Sequence, residues 1–425
     1  MLIVKKNKLK LDKKEYLFLR HLCRNSKNLF NSTLYATRQH FFNCGEFLNY
    51  VQTYKLLKDT EVYQSLPSDP AQQTMKVVER CFRSFFGLLQ KKKKGNYNKP
   101  IKITHYLPKD GYFPIFLPTR PGRMLNDFSI RVPKHLQEKF GFKSLSIKRP
   151  EYTKGKLLKE VRILPKINGT YFEIEWVYEE PQQLIPNLDE NKTLGIDLGI
   201  DNFATCLDSK SGHPFILDGK LIKSYNRYYN KEIARITSIH TKLNIKRSKN
   251  KERKLLKRKH ILNNGLNQYV NYIIQYCIEN KVKNIVVGQG YLAQNKSNIG
   301  KINNQNFTQI PFGQFCIKLK SKCEKYGMNY ESTEESYTSK VDHLVKEEMK
   351  HQDVYAGKRV HRGLFRSSTG ILLNADVNGA LGIILKSKHK VDLNQLVCSG
   401  CLTQPSRIYL GEIQDKSAIQ LIREI

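Results

Sequence analysis

Short segments of alternating apolar residues on either side of a long helical stretch, and a later run of three strands followed by helix–strand repeats, predict a multidomain protein of mixed α/β and α+β class. The 425 residues suffice for roughly two to four domains. The opening "MLIVKKNKLKL" alternates as a strand does. From Lys13 to Gln90 helical spacing takes over, and "AQQTMKVVERCFRSFFGLLQ" sets Val77, Val78, Cys81, Phe82, Phe85, Phe86 and Leu89 on one apolar face. That helix should stop at "KKKKGNYNKP", where Lys91, Lys92, Lys93 and Lys94 precede Gly95 and Pro100. Four consecutive lysines fit a solvated helix end and a phosphate contact about equally well. From Ile101 to Glu179, "FSIRVP", "LSIKRP", "EVRILPKING" and "YFEIEWVYEE" read as strands between turn residues. Residues 1–12 and 101–180 therefore suggest a small N-terminal β-barrel, with residues 13–100 as a helical insertion.

The polar stretch "EEPQQLIPNLDENK" reads as a linker, which places the start of a second domain near Lys192. Its expected order is strands at 193–200, 203–208 and 213–217, a long basic helical region, the strand "KNIVVG", a helix near 311–326, the strand "MNYESTE", and a helix from about Asn374. That order is an α/β arrangement of the ribonuclease-H kind. It occupies residues 192–339 and 374–390, leaves 340–373 as an insert, and makes 391–425 a C-terminal tail.

Lys and Arg total 73 against 38 Asp and Glu, a formal charge of +35 and far more than solubility requires, so a polyanionic partner is the simplest reading. The charge is concentrated: residues 220–259 hold 15 Lys or Arg and only two acids, Glu232 and Glu252. Arg247, Lys254 and Arg258 in that segment, and Arg359, Arg362 and Arg366 in the insert, are the candidate nucleic-acid contacts. No apolar run approaches membrane-spanning length, so no membrane partner is expected and a cytoplasmic or nucleoid-associated place is. Nine cysteines lack regular spacing and read as reduced thiols. Only Cys398 and Cys401, in "CSGC", have metal-like spacing, and no second pair accompanies them.

The stretch "TLGIDLGIDNFATCLD" carries Asp197 and Asp201 between apolar residues of a strand that otherwise reads as buried. An unpaired buried carboxylate is costly, so a cation or a donor network must answer it. In "ADVNGALGIILK", Asp376 falls in the first turn of a helix whose Val377, Ala380, Leu381 and Ile384 would pack on the sheet. Asp197 and Asp376 together would form a hard-oxygen site suited to Mg²⁺ or Mn²⁺, the ions that serve phosphodiester cleavage. The alternative for Asp376 is a favourable charge near a helix N-terminus.

"GIDLGIDNFAT", "ESYTSK" and "NADVNGA", with "LPSDPAQQTMKVVERCFRSFF" near the start, resemble motifs of the TnpB family. These are transposon-encoded RNA-guided nucleases related to type V CRISPR effectors and to the Fanzor proteins. The resemblance implies a wedge-like barrel with a helical recognition insertion and a RuvC-like nuclease domain. It also implies catalytic, metal-binding carboxylates at Asp197 and Asp376, Mg²⁺ or Mn²⁺ as cofactor, and guide RNA and target DNA beside a short adjacent motif as partners. Base pairing then reads sequence, and the protein needs backbone contacts more than base contacts.

Two departures qualify the resemblance. "NIVVGQG" has Gly288 where relatives carry a strand-end glutamate. The insert lacks the cysteines that hold zinc in many relatives, so no zinc is expected and His343, His351 and His361 read as surface histidines. In some relatives the acid looks to have moved to the next strand, which nominates Glu335 in "ESYTSK" as a catalytic, metal-binding residue; adjacent strand ends lie about 4.8 Å apart, within a glutamate's reach. Met328 and Tyr330 share parity with Glu334, which puts Glu335 on the other face if the strand stays regular. The implied function is RNA-guided DNA cleavage, with a nuclease-inactive RNA-guided repressor as the alternative that Gly288 favours.

Overall fold

The computed structural model describes residues 1–119, 127–210, 213–245, 248–290, 300–398, 400 and 402–412. The chain divides into two units, Met1–Pro181 and Gln182–Ile425.

The first unit runs β1 (Leu2–Lys8), α1 (Lys13–Cys44), α2 (Tyr50–Leu57), α3 (Glu61–Gln64), α4 (Ser68–Lys93), β2 (Ile115–Pro118), β3 (Asp127–Arg131), α5 (Lys134–Phe140), β4 (Ser144–Lys148), β5 (Leu158–Lys166) and β6 (Tyr171–Glu179). Asp12 and Glu15 make a reciprocal capping box at the start of α1, and Gly45 at φ 75° ends it. α4 buries Ala71, Thr74, Met75, Val78 and Phe82, while Phe85, Phe86 and Leu89 are only half-buried. Its end is a Schellman turn: the Asn96 amide donates to Lys91 O at 2.9 Å and the Gly95 amide to Lys92 O at 3.1 Å, with Gly95 left-handed at φ 75°. Lys91, Lys92, Lys93 and Lys94 are exposed there, where the helix dipole favours cations.

The expected barrel is not closed among the described residues. β1, β6, β5 and β2 form a four-stranded antiparallel sheet in that order, and β3 with β4 forms a separate two-stranded ladder. The pair is joined to the sheet by side chains instead of hydrogen bonds: Ile130, Leu145 and Ile147 share one core with Trp176, Ile163 and Phe18.

The second unit runs β7 (Asp189–Leu198), β8 (Asn202–Asp208), β9 (Phe215–Asp218), α6 (Lys220–Lys242), α7 (Lys249–Glu279), β10 (Val282–Gly288), α8 (Lys301–Gln309), α9 (Phe312–Tyr326), β11 (Asn329–Thr333), β12 (Lys358–His361), β13 (Leu364–Arg366), β14 (Leu372–Asn374), α10 (Ala375–Lys386), α11 (Leu393–Cys398) and β15 (Ser406–Ile408). The sheet order is β11-β10-β7-β8-β9-β15. β7, β10 and β11 are mutually parallel, β8 is antiparallel to its neighbours, and β15 pairs in parallel with β9. The segment after 391, expected as a tail, thus supplies a helix and the sixth strand of the sheet.

Both faces of the sheet are covered. Leu194 and Ile196 of β7 pack with Ile273, Phe315 and Leu319 from α7 and α9. On the other face Gly195 lets α10 come close, since a Cβ there would stand 2.6 Å from Ala380 O and 2.4 Å from Ile384 Cγ1. The insert is a small sheet, β12-β13-β14, tied by the buried Asp342. Its Oδ2 accepts from Ser367 Oγ at 2.8 Å, Ser368 N at 2.7 Å and Ser368 Oγ at 2.9 Å. His343, expected on the surface, is 1% exposed; its Nε2 lies 2.7 Å from Thr338 O in space left by Gly382. Burial holds its imidazole below the ordinary range. His351 and His361 are exposed.

Candidate active site

The strands that carry the candidate acids end side by side. Val287 of β10 pairs with Ile196 of β7, and Gly288 of β10 with Thr333 of β11. Asp197 therefore leaves β7 beside the end of β10, and Glu335 follows two residues after β11. The carboxyl ends of parallel strands are where open α/β sheets gather ligands. Period-two alternation turns Asp197 to the same face as Gly195, toward α10. Gly379 of α10 makes room for it, because a Cβ at 379 would stand 2.6 Å from Asp197 Oδ2.

Asp376 enters from the first turn of α10, where the side chain of Asn374 caps the helix by accepting from the Asp376 amide at 3.0 Å. Asp376 Oδ2 accepts from Asn202 Nδ2 at 2.6 Å, and Oδ1 lies 3.7 Å from an Arg359 guanidinium nitrogen. Glu335 fills the volume above two glycines: a Cβ on Gly288 would fall 1.9 Å from its Oε1, and a Cβ on Gly290 would fall 1.9 Å from its Oε2. The glycine that replaces the expected strand-end acid is thus what admits Glu335. Its neighbour Glu334 is exposed and bound to Lys386 and to the Ser336 amide, and Lys386 holds its carboxyl below the usual range.

Charge reports the same gathering. Burial, then the negative charges of Glu335 and Asp376, push the Asp197 carboxyl well above the ordinary range, against the opposing pull of Arg359. Burial also raises Glu335, against the hydrogen bond from the Gly290 backbone. Glu335 Oε1 is buried and has no hydrogen-bond partner. An orphaned, buried hard oxygen beside two further carboxylates is a donor set that fits a divalent cation. Among the described residues no three such side chains yet converge on one point; Asp376 is held instead by Asn202 and Arg359.

Asp197 and Asp376 open on a cleft of about 1230 Å³. Its opposite wall is the α6 face carrying Lys220, Lys223, Arg227 and Lys231, spaced as one helix face is, and these cations were not singled out by sequence reasoning. Asp201, the second carboxylate of the motif, is bound by Lys223 Nζ at 2.6 Å and by Arg362. Of the insert arginines, Arg359 and Arg362 line this cleft, and Arg366 is exposed on β13.

Two nominated cations of α7 point inward. Lys254 Nζ lies 3.0 Å from Glu232 Oε2 and over the Tyr228 ring. Arg258 Nε donates to Asn226 Oδ1 at 2.8 Å and its Nη2 to Gln309 O at 3.1 Å. They brace α6 against α7 and α8, because a long cation half-buried between helices finds polar partners there. Arg247 and Cys401, like the side chain of Cys398, lie outside the described residues. No helix among the described residues is long and apolar enough to cross a membrane.

Comparison with known proteins agrees in order along the chain. Residues 175–294 match the OrfB_IS605 family model, described as a probable transposase, and residues 312–383 match the Cas12f1-like TNB domain. The TnpB-like protein ORF457 of Acidianus two-tailed virus is 27% identical over 405 residues, covering 87% of this chain and 83% of that one. The protein in a cryo-EM structure of a Cas12f1–sgRNA–target DNA complex superposes with a TM-score of 0.56 at 15% identity, over 88% of this chain and 83% of that one. That likeness is one of fold.

Proposed function

The chain is a TnpB-family protein, and on that premise we propose that it is an RNA-guided DNA endonuclease in which Asp197, Glu335 and Asp376 hold Mg²⁺ or Mn²⁺. The observation that carries the reading is the orphaned Oε1 of Glu335 beside Asp197, whose carboxyl is raised by the neighbouring acids. RuvC-like nucleases use divalent metals, and a cation bound here would supply Lewis-acid activation and charge neutralisation at a phosphodiester. The chain's own residues then do the rest. Lys220, Arg227 and Lys231 are exposed toward the cleft and suit the phosphates of a strand laid along it. Arg359 offers a charge-assisted donor beside Asp376. Guide RNA and guide-matched target DNA are the partners of this reading, with Lys91–Lys94 and Arg366 as further backbone contacts.

The test is to purify the protein with its RNA, sequence that RNA, and offer matched duplex DNA with Mg²⁺. Cleavage by the wild type and none by Asp197→Ala supports the reading. A second reading, a guided repressor that binds without cutting, is favoured by Gly288, which removes an acid from the strand end. Guided binding without cleavage in Mg²⁺ or Mn²⁺ would install it instead.

A further inference from the structure

Asn202 is the direct partner of Asp376, and its amide has two ends of opposite character. Arg407 decides which end faces the acid. A guanidinium only donates, so the Asn202 atom it touches must be Oδ1; Arg407 Nη2 donates to that oxygen at 2.8 Å. The amide nitrogen is thereby turned to Asp376 Oδ2, to which it donates at 2.6 Å. The arginine is itself fixed by the buried Asp218, whose Oδ2 lies 2.6 Å from Nη1 and whose Oδ1 accepts from the Lys220 amide at 2.9 Å.

Sheet register makes this reach possible. Arg407 sits opposite Ile216 on β9, and Asp218 is two residues further along that strand, directly opposite Asn202 on β8. The turn that presents Asn202 has no slack, since a Cβ at Gly199 would stand 2.6 Å from Asn202 O. Without the arginine, Asn202 could rotate by half a turn and present oxygen to oxygen.

The geometry points to Arg407, carried by the last described strand, as a positioning residue for Asp376: through Asn202 it occupies Oδ2 and leaves Oδ1, 3.7 Å from an Arg359 nitrogen, as the oxygen offered to a divalent cation. This rests on the reading of Asp376 as a cation ligand. The C-terminal strand is then part of the nuclease centre, and its loss would loosen cation binding while the acids stay in the chain.

The experiment titrates the full chain, loaded with its guide RNA, with Mn²⁺ followed by electron paramagnetic resonance, alongside cleavage against Mn²⁺ concentration. Outer partners of a ligand are worth about 10–100-fold in metal affinity. Arg407→Gln is expected to weaken, about tenfold, the Mn²⁺ binding that Asp376→Ala abolishes. It should raise the half-saturating Mn²⁺ for cleavage by the same factor, with the rate recovering at high Mn²⁺ and target binding unchanged. Asn202→Ala leaves the Arg407–Asp218 pair in place, so it tests the relay without risking the fold; it should give the same loss, and the double variant no more than either single one. If Asn202→Ala binds Mn²⁺ as the wild type does, or if the two losses multiply, the relay is overturned while the carboxylate reading stands. If Asp376→Ala binds Mn²⁺ as the wild type does, the carboxylate reading falls and the relay with it.

Discussion

Two strands of this molecule carry a carboxylate through the middle of a sheet, and their neighbours treat it oppositely. On β6, Glu175 stands in register between Lys6 of β1 and Arg162 of β5. Lys6 Nζ lies 2.5 Å from it and Arg162 Nη1 3.5 Å. On β7, Asp197 stands opposite Thr205 of β8, and on its other side the strand ends at Gly288. Among the described residues no cation of that sheet pairs with it, and the acids nearby raise its carboxyl further than Arg359 of the insert lowers it. Cross-strand pairs are the unit of sheet stability, so β6 is built to be stable as it stands. β7 has no such pair at Asp197, whose carboxyl stays raised against the pull of Arg359. The difference separates a structural carboxylate from a candidate catalytic one without reference to any motif.

The comparison breaks first at Asp197 itself. Asp197→Ala or Asp376→Ala should cut the cleavage rate by about 10³-fold or more, roughly 4 kcal/mol of barrier, with guided target binding nearly unchanged. Glu175→Gln on β6 should leave cleavage unaffected. A residual rate near wild type in the Asp197 variant removes the catalytic half of the contrast.

The next effect is at the relocated acid. Glu335→Gln should lower Mg²⁺-dependent cleavage by about two orders of magnitude, close to 3 kcal/mol, while Glu334→Gln, whose carboxylate is tied to Lys386, changes the rate little. Gly288→Ala should behave as Glu335→Gln does, because its methyl takes the space of the Glu335 carboxylate. Normal cutting by Gly288→Ala would mean that Glu335 works from some other position.

Stability sharpens the contrast by its sign. Glu175→Gln should cost about 1–2 kcal/mol, the pair being partly solvated through Lys6. Asp197→Asn, measured by thermal unfolding in chelator, should gain about 1 kcal/mol at neutral pH, since the carboxyl ionises less readily in the folded chain than in the unfolded one. The Asp197 carboxyl is raised in the folded state, so its protonated form favours folding below the ordinary Asp range, and that contribution is lost as pH rises through the raised value. The gain from Asn should therefore shrink as the pH is lowered. A gain independent of pH would show that the charge is not its source.

The smallest effect concerns the cations of the cleft. Lys220, Arg227 and Lys231 changed together to Gln should flatten the salt dependence of nucleic-acid binding by up to about three units of slope, one per phosphate released. Lys254→Gln with Arg258→Gln should instead lower the melting temperature and leave the slope alone. The reverse pattern would put the phosphate path on α7.

Much of the second unit was legible because its signals are local. The alternation in β7 and the apolar runs of β10 and α10 announce themselves within ten residues. What stayed hidden depends on partners far away in the chain. His343 looks like a surface histidine until Gly382 opens a space for it. Lys254 and Arg258 look outward because charged helix residues usually do, and only the placement of Asn226, Tyr228 and Glu232 draws them in. β15 is three residues long with a serine and an arginine, too short to carry a period. Glu335 was nominated by the resemblance, with parity agreeing only for a regular strand; β11 ends at Thr333, and the turn after it, closed by the Thr338 amide on Glu335 O at 3.2 Å, sets its direction instead.

The two glycines beneath Glu335 also make neighbouring strand ends into alternatives. A side chain at 288 and the carboxylate of 335 compete for one volume, so an acid at 288 and Glu335 in its present place exclude one another. A chain with an acid at 288 would have to turn the Glu335 side chain aside, so the two strand ends offer one seat for a carboxylate, not two.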